Sequence, residues 1–177
     1  MSKDTYILFG GGGGIGRSLV HRLQQRAGHV IVASRNQGNH EGLTQIESVT
    51  CDASDFSAVE DVLSAAHEKH GNVHGVVCMA GSIVLKPAHM INEQEWLDTG
   101  STNLTTAFAC VRAAGKVMKS GGSVVLVSTV AAGTGLPNHE AIAATKAGVE
   151  GLARSAAATY AGRGLRVNVV APGLVDT

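Results

Sequence analysis

The sequence predicts a single doubly wound α/β domain, residues 1–177, with a parallel sheet covered by helices on both faces. Three observations carry this reading: short, continuously apolar runs; a helical pattern between successive runs; and a glycine run between the first strand and the first helix. Strands buried on both faces read as continuous hydrophobic segments, and their alternation with helices marks parallel crossover connections. Taken in order, "TYILF" is the first strand. Glycines follow, and then the helix "IGRSLVHRLQQRAG", where Ile15, Leu19, Leu23 and Ala27 recur every four residues and Gly28 supplies a stop. "HVIVAS" is the second strand and "IESVTC" the third, after which Ser54 can cap a helix from Phe56 to about Lys69. "VHGVVCMA" is the fourth strand, and a long helix runs from Glu93 to Met118. "GSVVLVS" is the fifth strand, Glu140 to Ala161 another helix, and "LRVNVVA" the sixth strand. No internal repeat, charge block or linker divides the chain.

At 177 residues the chain is long enough for a substantial core. Fourteen basic residues balance fourteen acidic ones, so no global field draws the protein to nucleic acid or an anionic membrane. An aromatic content of 3% also argues against base stacking. Cys51, Cys78 and Cys110 are odd in number, far apart in the chain and not in CxxC spacing, which fits a reducing compartment better than a disulfide scaffold or a zinc site. The eight histidines show no HExxH or other ligand spacing, so no metal site is expected. The apolar run after Lys3 and Asp4 extends only from Tyr6 to Phe9, and no apolar run is long enough to span a bilayer. A soluble, cytoplasmic protein is expected.

"FGGGGGIG" places Gly10 to Gly14 between strand and helix, with Gly16 one turn in. Glycine runs are often flexible linkers, but a linker does not belong between a strand and its own packed helix. At this place a glycine loop lets backbone N–H groups approach a phosphate while the helix dipole favours its charge. The spacing is G-x-x-x-G-x-G, at Gly10, Gly14 and Gly16. The expected phosphate-binding segment is therefore Gly10, Gly12, Gly13, Gly14, Ile15 and Gly16. A site reading a free ribose 2′-hydroxyl places Asp or Glu at the end of the second strand. Here that strand ends "VASRN", with no acid until Glu41. Ser34 and Arg35 suit a 2′-phosphate through charge-assisted hydrogen bonds, which favours NADP(H) over NAD(H).

With the glycine loop, "VASRN", "CDASD", "CMAG", "STNLTTAF", "GSVVLVST", "ATK" and "VNVVAPGLVDT" in order, the chain resembles the classical short-chain dehydrogenase/reductase family from residue 5 to its last residue. The fold this implies is of the Rossmann type. The resemblance places Asp52 and Ala53 on the adenine ring. "CMAG" stands where the family has Asn-Asn-Ala-Gly, keeping Ala80 and Gly81 but replacing both asparagines with Cys78 and Met79. Asn103 matches the asparagine of the catalytic tetrad, which holds a proton-relay water. Pro172, Gly173, Val175 and Thr177 match the segment that anchors the nicotinamide carboxamide.

The family's catalytic helix reads Tyr-x-x-x-Lys, and Lys146 matches its lysine, which binds the nicotinamide ribose and lowers the pKa of the tyrosine one turn earlier. In this chain that tyrosine position is Ile142, which cannot donate a proton. The catalytic serine, thirteen residues before the tyrosine, falls on Thr129, with Ser128 just before it. Tyr160 lies eighteen residues along the same helix, about 27 Å away at 1.5 Å per residue, and Tyr6 lies in the first strand. Neither can substitute. His139, three residues before Ile142, is the candidate replacement, since histidine suits acid–base work near neutral pH and Glu140 is beside it. The bland alternative is an exposed loop histidine. The family normally continues past the position of Thr177 through a substrate lid, a further strand and a tail, so the sequence is expected to be part of a longer chain.

These features imply an NADP(H)-dependent oxidoreductase acting on a small-molecule carbonyl or alcohol with an altered proton donor. Intact cofactor motifs beside a lost acid also fit a catalytically silent dinucleotide-binding protein, such as a redox sensor or a non-catalytic partner subunit. The helices Glu93–Met118 and Glu140–Ala161 carry many small residues, among them Ala143, Ala144, Ala147, Gly148, Gly151 and Ala157. Relatives pair these two helices across a dimer, so a homodimer or homotetramer is expected.

Overall fold

A computed structural model of the chain describes residues 4–176 apart from Ala27, and the side chains of these apart from that of Asn39. Six parallel strands form one sheet: β1 (Thr5–Phe9), β2 (His29–Ser34), β3 (Glu47–Thr50), β4 (Val73–Cys78), β5 (Gly122–Val127) and β6 (Leu165–Val170). Their order across the sheet is β3-β2-β1-β4-β5-β6. The chain winds outward from β1 in one direction and then, from β4, in the other. The crevice between the carboxyl ends of β1 and β4 is thus the switch point at which ligands bind in open α/β sheets.

The helices are α1 (Gly14–Gln25), α2 (Phe56–His70), α3 (Glu93–Gly100), α4 (Thr106–Val117), the short α5 (Ala131–Thr134) and α6 (Glu140–Tyr160). One core joins β1, the inner strands, α2, α4 and α6, and includes Phe9, Ile31, Leu63, Val76, Leu126 and Val149. A smaller core under α1 gathers Leu8, Val20, Val30 and Val32, with Leu19 and Leu23 partly buried against it.

Three elements differ from the sequence reading. In α1 the residues fully buried are Gly16 and Val20, while Ile15 is 42% exposed at the loop end; Ala27 lies outside the described residues. Asp55, not Ser54, caps α2: its carboxylate accepts from the N–H groups of Ser57 and Ala58. Ser54 instead donates to Asp52 through both its amide and its hydroxyl, forming the turn that delivers the chain to Asp55. The helix read as Glu93–Met118 is interrupted by a turn of π-helix, Ser101–Thr105, between α3 and α4.

Among the described residues no helix is long and apolar enough to cross a membrane.

Candidate active site

The glycine loop is shaped by close approach of three strand ends. Gly10 has φ +78°, and its N–H donates to the Ala33 carbonyl at 2.9 Å. A Cβ there would stand 2.7 Å from the Ala80 nitrogen, so the backbones of β1 and the β4 end meet where only glycine fits. A Cβ on Gly16 would lie 2.4 Å from the Gly11 carbonyl oxygen, which packs the first turn of α1 against the loop. Gly13 sits at the helix N-cap in extended conformation with no side-chain cap, and the first turn carries no acid. The N-terminal amides and the positive end of the dipole are therefore left to an external anion. Arg17 braces the loop, with Nε donating to the Gly12 carbonyl (2.9 Å) and Nη1 to the Glu41 carbonyl (2.8 Å).

From this loop a crevice of about 820 Å³ runs across the carboxyl ends of the strands. Gly10 and Gly13 line one wall, Ser34, Arg35 and Asn36 the β2 end, Asp52 and Ala53 the β3 end, and Ala80 and Gly81 the β4 end. Eight residues expected at the cofactor site are thus brought into one cavity. Gly12, Gly14 and Ile15 belong to the loop and helix start beside it, and Gly16 packs behind it. A chain of glycine backbones, an uncapped helix N-terminus and a guanidinium at the far end fit a phosphorylated dinucleotide by shape and charge. The Asp52 carboxyl is held below its usual range, first by the hydrogen bonds from Ser54 and then, after burial has opposed them, by Arg35.

Gly81 connects this crevice to Asn103 and Lys146, two of the residues expected from the sequence to be catalytic. A Cβ there would stand 2.8 Å from Asn103 Oδ1 and 3.5 Å from Lys146 Nζ. Asn103 is buried at the centre of the π turn, donating from Nδ2 to the carbonyls of Ser82 and Thr99, both at 3.0 Å, while Oδ1 accepts from Ser82 N–H. Lys146 is 8% exposed, and its Nζ donates to the Val127 carbonyl at the end of β5 (2.8 Å). Burial pushes its ammonium below the usual lysine range, with the nearby Cys78 thiol acting in the opposite direction.

Cys78 and Cys110, distant in sequence, are hydrogen-bonded neighbours in the fold. That bond draws Cys78 down, whereas burial raises Cys110. All three cysteines are free and buried. Among the described residues no group of three or more His, Cys, Asp or Glu is placed to hold a metal ion.

Thr129 lies at the turn after β5, where its Oγ1 accepts from Ala131 N–H (3.3 Å). Ser128 is buried and donates to Glu150 Oε1 at 2.8 Å, so Glu150, which no sequence signal marked, fixes the turn that carries Thr129. Val130 N–H donates to the Pro172 carbonyl (3.1 Å), and Gly173 lies against Val130, which brings the "APG" segment over the same turn. Val175 is exposed, and Thr177 lies outside the described residues.

His139 sits at the N-cap of α6, half-buried, with Nδ1 donating to the Pro137 carbonyl at 2.7 Å. It forms no hydrogen bond with Asn103, Thr129 or Lys146. Ile142 is 4% exposed, one turn before Lys146 and part of the packed face of α6. The tyrosines are engaged elsewhere: the Tyr6 hydroxyl donates to Asp4 (3.1 Å), and the Tyr160 ring packs on Gly115 beneath Arg163.

A glycine-lined crevice at the switch point of a doubly wound sheet, joined at its inner end to Asn103 and Lys146, is the site this fold offers to a nucleotide. A family model described as enoyl-(acyl carrier protein) reductase matches residues 11–177. The chain is 34% identical over 177 residues to the 3-oxoacyl-[acyl-carrier-protein] reductase MabA of Mycobacterium avium, covering 98% of this chain and 68% of that protein. It is 30% identical to a 3beta-hydroxysteroid dehydrogenase of Mediterraneibacter gnavus, covering 99% of this chain and 67% of that protein. The solved structure of a short-chain type dehydrogenase/reductase from Mycobacterium ulcerans superposes with a TM-score of 0.94 at 27% identity, over 100% of this chain and 70% of the other. The chain belongs to the short-chain dehydrogenase/reductase family.

Proposed function

We propose that the protein is an NADP(H)-dependent oxidoreductase interconverting a small-molecule carbonyl and its alcohol, with a proton donor other than the family's tyrosine. The junction at Gly81 carries this reading: the crevice that fits a dinucleotide ends against Asn103 and the buried Lys146 ammonium. When bound, the cofactor would supply the hydride. Gly10, Gly13 and the open N-terminus of α1 would take the pyrophosphate, and Arg35 the 2′-phosphate. Asp52 and Ala53 would hold the adenine, Lys146 the nicotinamide ribose, and Pro172, Gly173, Val175 and Thr177 the carboxamide. Thr129 would orient the carbonyl, and Asn103 a relay water. The reductases and dehydrogenases among the relatives support this reaction class.

His139 is the group we assign to proton delivery. Its Nδ1–H is committed to Pro137, so Nε2 is the nitrogen that would carry a transferable proton. A second reading is carried by Ile142, a buried alkyl group at the position of the family's acid. It makes the protein a dinucleotide-binding sensor or a non-catalytic partner subunit. A cytoplasmic location and a homodimer or homotetramer complete the proposal.

The test is NADPH oxidation against a panel of ketones and aldehydes, run beside a binding titration. Turnover that collapses in His139→Ala supports the enzyme and its donor. Binding without turnover selects the second reading.

A further inference from the structure

Behind the crevice wall at the β2 end lies a histidine that no motif marked. His40 is 6% exposed and bridges two strands through both ring nitrogens, Nε2 to Ser34 Oγ on β2 (2.8 Å) and Nδ1 to Ser48 Oγ on β3. The Ser34 hydroxyl has one proton, and it goes to the Asn36 carbonyl at 2.8 Å. Towards His40 it can therefore only accept. Neutral His40 must then carry its proton on Nε2, and Nδ1 accepts the Ser48 hydroxyl proton. With its proton spent on Asn36, Ser34 presents only acceptor capacity to the crevice it lines. That suits a ribose hydroxyl, so a 2′-phosphate, which the sequence reading assigned to Ser34 and Arg35 together, is left to the Arg35 guanidinium.

The charged group that acts on His40 is Arg17. Arg17 reaches across from α1, and Arg35 stands at the crevice rim with Asp52 opposite. Glu41 follows His40 directly in the chain and gives its carbonyl to Arg17. Glu47, next to Ser48 on β3, points to the opposite face of the sheet, where Lys69 and His70 hold it. Burial, and after it the charge of Arg17, keep His40 below the usual imidazole range, so the neutral bridge prevails near neutral pH.

We propose that His40 is a proton-linked positioning residue for the adenosine ribose end of the crevice: neutral, it holds Ser34 as an acceptor for a ribose hydroxyl; protonated, it sets a further cation behind Ser34 that favours a 2′-phosphate. This rests on reading the crevice as an NADP(H) site. Linkage makes the effect reciprocal: bound 2′-phosphate raises the proton affinity of His40, and acidification raises the preference for the phosphorylated cofactor. The second ionisation of the phosphate, near pH 6, opposes this, but equally in every variant.

The experiment measures dissociation constants of NADPH and NADH by fluorescence titration of the full chain from pH 8 to pH 5.5, for the unmutated protein, His40→Gln and Ser48→Ala. Glutamine retains an N–H for Ser34 and cannot be protonated. Between the two pH limits, the preference for NADPH over NADH should rise about fivefold or more in the unmutated protein relative to His40→Gln. Ser48→Ala removes the donor that stabilises neutral His40, so its transition should move to higher pH. Should His40→Gln fail to fold, this displacement alone decides. Tight binding of both cofactors with the same pH response in all three proteins overturns the role of His40 and leaves the crevice reading intact. Failure of both cofactors to bind at every pH overturns the role of His40 and the crevice reading together.

Discussion

At position 142 the chain puts a branched alkyl group where its family carries a phenol, while keeping the lysine one turn later on the same helix face. The Lys146 ammonium is already desolvated and donates to the Val127 carbonyl near Gly81, so it would supply the electrostatic half of the acid pair that we propose position 142 has lost. Ile142→Tyr adds the missing half at helix-compatible spacing. General acid catalysis is typically worth about 10²- to 10⁴-fold, and the variant is expected to raise or create carbonyl reduction by that order, measured as steady-state NADPH oxidation. A folded, NADPH-binding variant with no gain would show that the carbonyl does not approach position 142. Position 142, Thr129 and Lys146 were marked by the sequence's likeness to its family, and the structure places Thr129 and the Lys146 ammonium at the carboxyl end of β5. What Ser34, Ser128 and Cys78 do was not legible in the sequence. Each depends on a partner brought in by the fold: His40 from the following turn, Glu150 from α6 and Cys110 from α4.

Elements explain why the strands were read well and the helix boundaries less so. A buried parallel strand announces itself by an unbroken apolar run, and all six runs fold as strands within a residue or two. Helical periodicity does not see an inserted residue, so the π turn at Ser101–Thr105 stayed hidden inside a long helix. That turn buries Asn103 with its amide satisfied by Thr99 and Ser82, which ties the loop after β4 to the helix. Capping was misplaced by one residue because Ser54 and Asp55 are both good caps, and the Asp52 turn engages Ser54 first. The junction of β1, the glycine loop and α1 tolerates no such slack. Gly16→Ala would drive a methyl group into the Gly11 backbone at 2.4 Å, and overpacking of this kind costs about 1–3 kcal/mol. Urea unfolding should show that loss, together with weakened NADPH binding. By contrast, Gly100→Ala, at a helical position with nothing within 4 Å, should leave stability unchanged or raise it by about 0.5–1 kcal/mol. Equal effects at the two sites would refute the close approach.

On the scale of the whole molecule, the sheet order places the crevice lining at the carboxyl ends of β1, β2, β3 and β4, the end at which Lys146 reaches the last carbonyl of β5. The flank formed by α3 and α6 is apolar and open: Trp96, 49% exposed, and Leu97 stand beside the small exposed Ala144. Of the small residues expected at an interface, Gly148 instead packs internally on Leu104. Sedimentation at micromolar concentration should give a dimer or tetramer, shifted towards monomer by Trp96→Asp; a monomeric unmutated protein would refute this interface. The central claim, that the crevice receives NADP(H) with its 2′-phosphate on Arg35, is tested most directly by titrating NADPH and NADH into the unmutated protein and Arg35→Asp. Charge-assisted bonds to the phosphate are worth roughly 2–4 kcal/mol, so the account predicts tighter binding of NADPH than NADH and a loss of NADPH affinity of more than about tenfold in the variant. Equal affinity of the unmutated protein for the two cofactors would contradict it.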